Sequence, residues 1–532
     1  MKKSEFFLFL ALFAALVGIS FFVTFRGMDP DFGWHLKTGE LILKNGVPYR
    51  DWYSYTMPDF PWVNHEWLTD VLIYKIYSVS NIYFLLLVFL CLYAFSFFIA
   101  KGKSQSFKNS FFPIALGYLA TLGFLGIRPQ LLTILFIAVL AWLLNDFLQN
   151  SSKTIYLVPL IFLVWVNLHG GFFAGLAIMA AVLALEIFKK TKIWQKIKFL
   201  DFIGNFKLEE QPASKIISLS KVLVLSIIAT LINPYGPRLY VEIFRDIGDN
   251  FLRSHIQEWM PIFFLNFNIL IYIYIGIFIG LLVRFYKKVS FNNIVISLLF
   301  LFFAISSARY FLIFIIWTMP VSIDMVVFFR QEADWGKVIG LFPNRKKKSF
   351  AICVAVLIIP LVILSGVIFY SFVQSFSSPD IKYPEKAVSF LKTLPLSENL
   401  FNFYAWGGYL IWKIPDRKLF IDGRMPSWRE DGQFVFGDYV KIMDAEDGFD
   451  KILRKYDVRL FILPKDTEGP AQREENAQKY DKFMMMTGNH KWLGDMLCDM
   501  AEICPEKNIY DELHRLGWKN IYQDDLAVIL EK

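Results

Sequence analysis

Charge is what this 532-residue sequence has least of: 19% Asp, Glu, Lys and Arg, against 56% hydrophobic and 18% aromatic residues. A soluble chain of this length would carry about a quarter charged residues, so a soluble globular protein is excluded. Cysteine is also scarce. Cys91, Cys353, Cys498 and Cys504 are too few for a disulfide scaffold; the first two lie inside apolar runs, and Cys498 and Cys504 share one segment and could pair outside the cytoplasm. No internal repeat or low-complexity tract is present. The opening MKKSEFFLFLALFAALVGISFFVTF has basic residues before an apolar run, but no small-x-small cleavage site follows, so it reads as a retained helix. The formal net charge of +8 does not point to nucleic acid, because the basic residues fall in short clusters between hydrophobic spans.

What is abundant is long apolar runs. They predict an α-helical polytopic membrane protein of about eleven transmembrane helices, near 6–25, 82–100, 110–127, 129–148, 154–168, 171–188, 219–233, 265–283, 292–306, 310–328 and 350–374. With the N-terminus in the cytoplasm, alternate loops hold Lys101, Lys103 and Lys108, then Lys153, Lys189 to Lys198, Arg284 to Lys288 and Arg330 to Lys348. About 22 Lys and Arg then fall in inside loops against about 10 outside, which fixes the orientation. An odd number of spans puts the tail outside. The predicted organisation is a membrane module over 1–375, with a first outer loop at 27–81, and an extracytoplasmic α/β domain over 376–532. In that tail YPEKAVSFLKTL, DGFDKILRKY and NIYDELHRLG read as helices, VRLFIL and LAVILEK as strands, and WGGYL as a tight turn into a strand.

With this topology the unusual polar residues collect on one side. MDPDFGWH brings Asp29, Asp31 and His35; the same loop adds Asp51, His65, Glu66 and Asp70. Later outer turns add Arg128, Asn167, His169, Asn233, Glu258 and Arg309. Ionisable residues at helix ends are costly unless they face a cavity, and they mark substrate paths. Each has a plainer reading: Asp31 as a helix cap, His35 as a buried satisfied histidine, Glu66 as a first-turn acid, and Arg128 and Arg309 snorkelling to headgroups. Trp34, Trp52, Trp62 and Trp67 suit an aromatic belt or a sugar platform. Jointly the set offers a carboxylate base, Arg and His for a phosphate and flat apolar faces. That describes transfer of a group from a lipid-linked phosphate rather than from a soluble nucleotide.

The pieces MDPDFGWHLKTGELILKNGVPYRDWYSYT, PWVNHEWL, WVNLHGGFFAG, INPYG, IQEWMP, SSARYFL, FNFYAWGGYLIW and FIDGR run in order through nearly the whole chain. They resemble the polyprenyl-phosphate-dependent membrane glycosyltransferases of the GT-C superfamily, in the bacterial branch grouped with dolichyl-phosphate-mannose protein mannosyltransferase-like and Rgt-like enzymes. The resemblance implies a multi-pass protein of the bacterial inner membrane, a polyprenyl-phosphate sugar donor among membrane lipids, and an outer-face glycan, lipid or protein acceptor. It implies inversion at the anomeric carbon and Asp31 as base with Asp29 as alternate; His65 and Glu66 match the second polar cluster of that loop, and Arg309 stands where a donor-phosphate contact is expected. From the outer-face set, His35, Arg128, Asn167, His169 and Glu258 join them as candidate substrate contacts. Asp29-Pro-Asp31 also resembles a metal-binding Asp-x-Asp pair, for a divalent cation such as magnesium or manganese. No Trp-Trp-Asp motif occurs, which speaks against an oligosaccharyltransferase proper. The alternatives are a polysaccharide polymerase or ligase, and a non-catalytic transport or assembly protein.

Overall fold

The computed structural model describes residues 3–25, 27–102, 106–197, 210–262, 269–332, 383–465 and 509–532. Its contacts divide the chain into two units. One comprises Met1–Gly27, Ile82–Asn233 and Phe267–Asp380, the other Met28–Asn81, Pro234–Asn266 and Ile381–Lys532. Residues 28–81 and the tail, which lie far apart along the sequence, therefore fall in the same unit.

The first unit is helical. Without water to satisfy them, backbone N–H and C=O groups in hydrocarbon must pair within the segment, and these apolar runs do so as helices. Glu5–Thr24, Ile82–Ala100, Gln130–Asn150, Ala213–Thr230 and Ala308–Glu332 are long and apolar enough to cross a membrane, and Lys153–Leu168, Phe172–Phe188, Ile269–Phe285 and Phe291–Ser306 are shorter apolar helices. The chain is a multi-pass membrane protein. Among the described residues five helices, rather than eleven, have full spanning length. The predicted 110–127 span is a 14-residue helix, Phe107–Ala120, containing Pro113 and followed by a 3-10 turn at Leu122–Phe124. At 1.5 Å per residue it is about 21 Å long, short of a ~30 Å hydrocarbon core. The 350–374 span lies outside the described residues, as do Cys353, Cys498 and Cys504.

Within this unit Ala308–Glu332 is central, with 72% of its apolar window buried against 22% for Glu5–Thr24. Hydroxyls join its helices: Tyr274 to Thr318 and Ser322, each at 3.2 Å, Ser20 to Tyr118 at 2.7 Å, and Tyr93 to Thr121 at 2.6 Å. Such bonds tie helices where lipid removes the hydrophobic incentive to associate.

The second unit carries a four-stranded sheet in the order β1-β2-β4-β3, with β1 Asn399–Asn402, β2 Val458–Pro464, β3 Lys519–Gln523 and β4 Ala527–Glu531. β1 and β2 are parallel; β4 is antiparallel to both β2 and β3. The central β2 and β4 are buried along nearly their whole length and the edge β3 is not, which is why VRLFIL and LAVIL read as continuous apolar runs. Asp524 takes the N–H groups of Leu526 and Ala527 at 2.7 and 2.8 Å, closing the β3–β4 turn. Helices Glu385–Leu391, Phe449–Lys455 and Ile509–Arg515 fall where the sequence places them.

One reading of the tail changes. WGGYL is a 3-10 turn running into the helix Gly407–Lys413 rather than a strand. Trp406 and Trp428 are 2% and 1% exposed and sit in the hydrophobic core. Trp34, Tyr53, Met57, Phe60 and Trp62 from the 28–81 segment enter that same core. Backbone bonds from Tyr55 N–H to Leu419 O (3.1 Å) and Leu419 N–H to Tyr53 O (2.9 Å) stitch it to the tail.

Candidate functional site

The acidic turn Asp29-Pro30-Asp31 leads into the helix Phe32–Asn45. Asp29 Oδ1 accepts the backbone N–H of Asp31 at 3.0 Å and tightens the turn. Asp31 occupies the N-cap position, yet its side chain makes no capping bond. Its Oδ1 instead accepts the indole N–H of Trp34 at 3.0 Å. The capping reading of this carboxylate therefore fails.

One residue beyond Trp34, whose ring it overlaps at 3.6 Å between centroids, His35 is buried. Its Nδ1 lies 2.6 Å from Asp70 Oδ1 and its Nε2 3.6 Å from Glu66 Oε2. Asn64 completes the cluster: its side-chain N–H donates to Asp70 Oδ2 at 2.7 Å, and its carbonyl accepts the N–H of Glu66 at 3.0 Å. His65 Nε2 lies 3.5 Å from Glu66 Oε1. Burial opposes a charge on His35, but Asp70, followed by Glu66 and Asp31, outweighs it and pushes the imidazole up to about 9. Burial raises Asp70 to about 6 against the pull of His35 and Asn64. At neutral pH the pair is an imidazolium on a carboxylate, and Glu66 is flanked by two histidines.

The tail builds the floor beneath this acid cluster. A Cβ placed on Gly423 would stand 1.9 Å from Asp31 Oδ1, and one on Gly408 would stand 2.2 Å from the carbonyl of Pro30. Only glycine permits approaches this close. Beside Gly423, Arg424 donates to Asp422 at 2.7 and 2.8 Å and to Asp51 at 2.8 Å, with all three side chains at most 2% exposed. Its guanidinium also lies 4.3 Å from the Trp62 ring centroid and 4.6 Å from that of Tyr53. Asp422 and Arg424 pair locally, and Arg424 also fastens the 51–62 segment to the turn that receives Asp31. Glu258, in the 3-10 turn Gln257–Trp259, shares a neighbourhood with Asp31: burial raises the Tyr404 hydroxyl, and Asp31, Asp422 and Glu258 add to it.

The structure thus brings together Asp29, Asp31, His35, His65 and Glu66. Arg128, Asn167, His169 and Arg309 belong to the other unit. There Asn167 donates to the carbonyls of Leu163 and Ile232 at 2.9 and 3.0 Å, which ties helix ends. His169 Nδ1 accepts the N–H of Gly171 at 2.9 Å and lies 2.7 Å from the Thr133 hydroxyl, whose oxygen takes the Trp165 indole N–H at 3.0 Å. An Nδ1 that accepts a backbone N–H carries no proton, so in the neutral ring the proton sits on Nε2. Arg309 lies in the 3-10 turn Ala308–Tyr310 and Arg128 just before Gln130–Asn150; both are half-buried.

For a divalent cation the test is the donor set. Asp29 and Asp31 carry the bonds described, and among the described residues no group of three or more His, Cys, Asp or Glu is arranged to hold a metal ion. Magnesium is held by one or two carboxylates, waters and substrate phosphate oxygens rather than by an all-protein cage, so Asp29 and Asp31 are the residues that would hold one, and the reaction below is derived from the protein's own groups.

Asn64 is the member of the cluster that sequence reading does not single out, and Asp70 is named there among the loop's acids without a role. Asp70 stands four residues after Glu66, on the same helical face, and that spacing in HEWLTD is the available signal. Gly423 and Arg424 gave none beyond FIDGR itself.

Against known proteins, no family model and no curated sequence matches the chain. Solved structures do. The oligosaccharyltransferase of Archaeoglobus fulgidus in its apo form aligns at TM-score 0.51 and 11% identity over 91% of this chain and 71% of its own. The same enzyme, AglB, in complex with an inhibitory peptide and a dolichol-phosphate aligns at TM-score 0.50 with the same identity and coverage. A looser likeness, TM-score 0.44 at 13% identity over 100% of this chain and 98% of the other, is to ArnT from Cupriavidus metallidurans bound to undecaprenyl phosphate. The oligosaccharyltransferase likeness shows the fold alone: the chain shares the helical architecture of that solved structure.

Proposed function

We propose that this protein is a membrane glycosyltransferase that moves a sugar from a polyprenyl-phosphate donor to an acceptor on the outer face of the membrane. The carrying observation is the acid cluster, in which Asp31 is held by Trp34 and Gly423 at the head of a helix beside the His35–Asp70 pair and Glu66. The fold supports the same reading, since the solved oligosaccharyltransferase of that fold binds a dolichol-phosphate.

In the proposed reaction Asp31 takes the proton of the acceptor hydroxyl as the acceptor oxygen bonds to the anomeric carbon. The bond from that carbon to the phosphate oxygen breaks, and polyprenyl phosphate leaves with the electron pair. Displacement from the face opposite the phosphate inverts the centre. Positive charge developing on the sugar ring favours a site rich in carboxylates. Glu66 lies between His35 and His65, 3.6 and 3.5 Å from their Nε2 atoms.

The test is donor choice by the purified protein in lipid vesicles. Labelled sugar should move from a polyprenyl-monophosphate carrier and not from a nucleotide sugar. Transfer from the nucleotide sugar alone would overturn the proposal. Transfer only of oligosaccharide from a pyrophosphate carrier would favour a polymerase or ligase.

A further inference from the structure

The helix Arg238–Gly248, RLYVEIFRDIG, is built inside out for a helix in water. A surface helix normally turns its apolar stripe to the protein and its charges to solvent. Here the buried residues are Leu239 and the acid Glu242, which is bonded to Arg245, whose guanidinium lies 5.6 Å from the Phe60 ring centroid. Glu242 and Asp246 interact electrostatically with His65. Facing outward are Val241 and Phe244, 69% and 57% exposed. Successive residues of a helix step by 100°, so Val241, Phe244 and Gly248 share one arc, and that arc carries no charge.

We infer that this helix lies in the boundary between headgroups and acyl chains, with its Val241–Phe244 face against lipid. Three observations select lipid as the occupant. The helix follows the membrane-crossing candidate Ala213–Thr230, and the chain from Thr230 to Arg238, with seven residues between, reaches at most about 28 Å even fully extended. The chain between them stays apolar and exposed, with Leu231 at 44% and Ile232 at 61%. At the helix start Arg238 is exposed and Tyr240 half-buried, residue types that suit the headgroup layer. The helix is also held in place: Tyr235 donates to the carbonyl of Pro48 at 2.7 Å and packs on Tyr49 with centroids 5.5 Å apart. An anchored helix cannot turn over to hide Val241 and Phe244. The consequence is a wall with lipid on one side and Glu242 and His65 on the other. A polar group tethered to a lipid would meet the acid cluster at the depth of its own phosphate.

The experiment needs no transfer activity, so its outcome is independent of the sugar-transfer proposal. Val241→Cys and Phe244→Cys are made separately in the full chain with its native cysteines replaced, each carries a nitroxide, and the protein is reconstituted in phosphatidylcholine–phosphatidylglycerol vesicles. Ser389→Cys, on the exposed face of Glu385–Leu391, serves as the aqueous reference. At both helix positions collision with oxygen, which concentrates in acyl chains, should exceed collision with a water-soluble nickel chelate, the reverse of the reference. Preferential access of the chelate at either position overturns the inference. Protection from both reagents overturns it too, because protein would then cover the face. Both labelled sites are largely exposed, and an unchanged thermal unfolding midpoint verifies that each substitution leaves packing intact.

Discussion

Gly423→Ala is the sharpest probe of the acid cluster, because one methyl group meets one carboxylate. The added Cβ would stand 1.9 Å from Asp31 Oδ1 and 2.9 Å from its Cγ, whereas ordinary contact begins at 3.4 Å. The carboxylate must therefore retreat by about 1.5 Å, the difference of those distances, or its turn must shift with it. A misplacement of about 1 Å in a reacting group costs roughly 100-fold in rate, and overpacking costs about 1–3 kcal/mol in stability. Initial rates of sugar transfer and thermal unfolding midpoints are measured for Gly423→Ala, Asp31→Ala and the double variant. Transfer by Gly423→Ala should fall about 100-fold. Its destabilisation should largely vanish once Asp31 is Ala, a coupling of about 1–3 kcal/mol. Wild-type transfer in Gly423→Ala, or the same destabilisation with and without the Asp31 carboxylate, would refute the reasoning.

Three further outcomes follow from the same geometry. His35 is raised in the fold to about 9 from 6.5, so its contribution is fully present below pH 6.5 and is lost as pH rises through 9; the unfolding midpoint should fall over that window, and Asp70→Asn should remove the His35 part of the dependence. Arg424→Ala strands Asp51 and Asp422, both 0% exposed, and should cost about 3–5 kcal/mol, read as a lowered midpoint. Arg424→Lys keeps the charge but not the two-carboxylate fork, and should recover only part of that loss. Thr133→Val removes the hydroxyl beside His169 Nδ1 and should cost about 1 kcal/mol by the same measurement.

What was legible in the sequence is what local pattern records. Apolar runs located helices such as Ile82–Ala100 and Phe172–Phe188, and continuous apolar stretches located β2 and β4, because burial on every side leaves a local signature. Spanning length was less legible: the run near 110–127 has the composition of a span, but Pro113 and the 3-10 turn after Ala120 shorten its helix. The acids and histidines of MDPDFGWH and NHEWL were visible as a group. Their pairing was not, since His35 meets Asp70 across 35 residues and Asp31 meets Gly423 across nearly four hundred. Contacts at that separation leave no periodicity to read. WGGYL shows the same limit: its glycines read as a turn, whereas Gly408 is small because the backbone of Pro30 presses on it.

The central claim, that Asp31 removes the acceptor's proton, is tested most directly by the single-turnover rate of Asp31→Asn with a saturating polyprenyl-phosphate sugar. Asn fills the same space and still accepts from the Trp34 indole, so donor binding and the unfolding midpoint should persist while transfer falls by roughly 100-fold or more. A variant that binds donor and transfers at the wild-type rate would contradict the account.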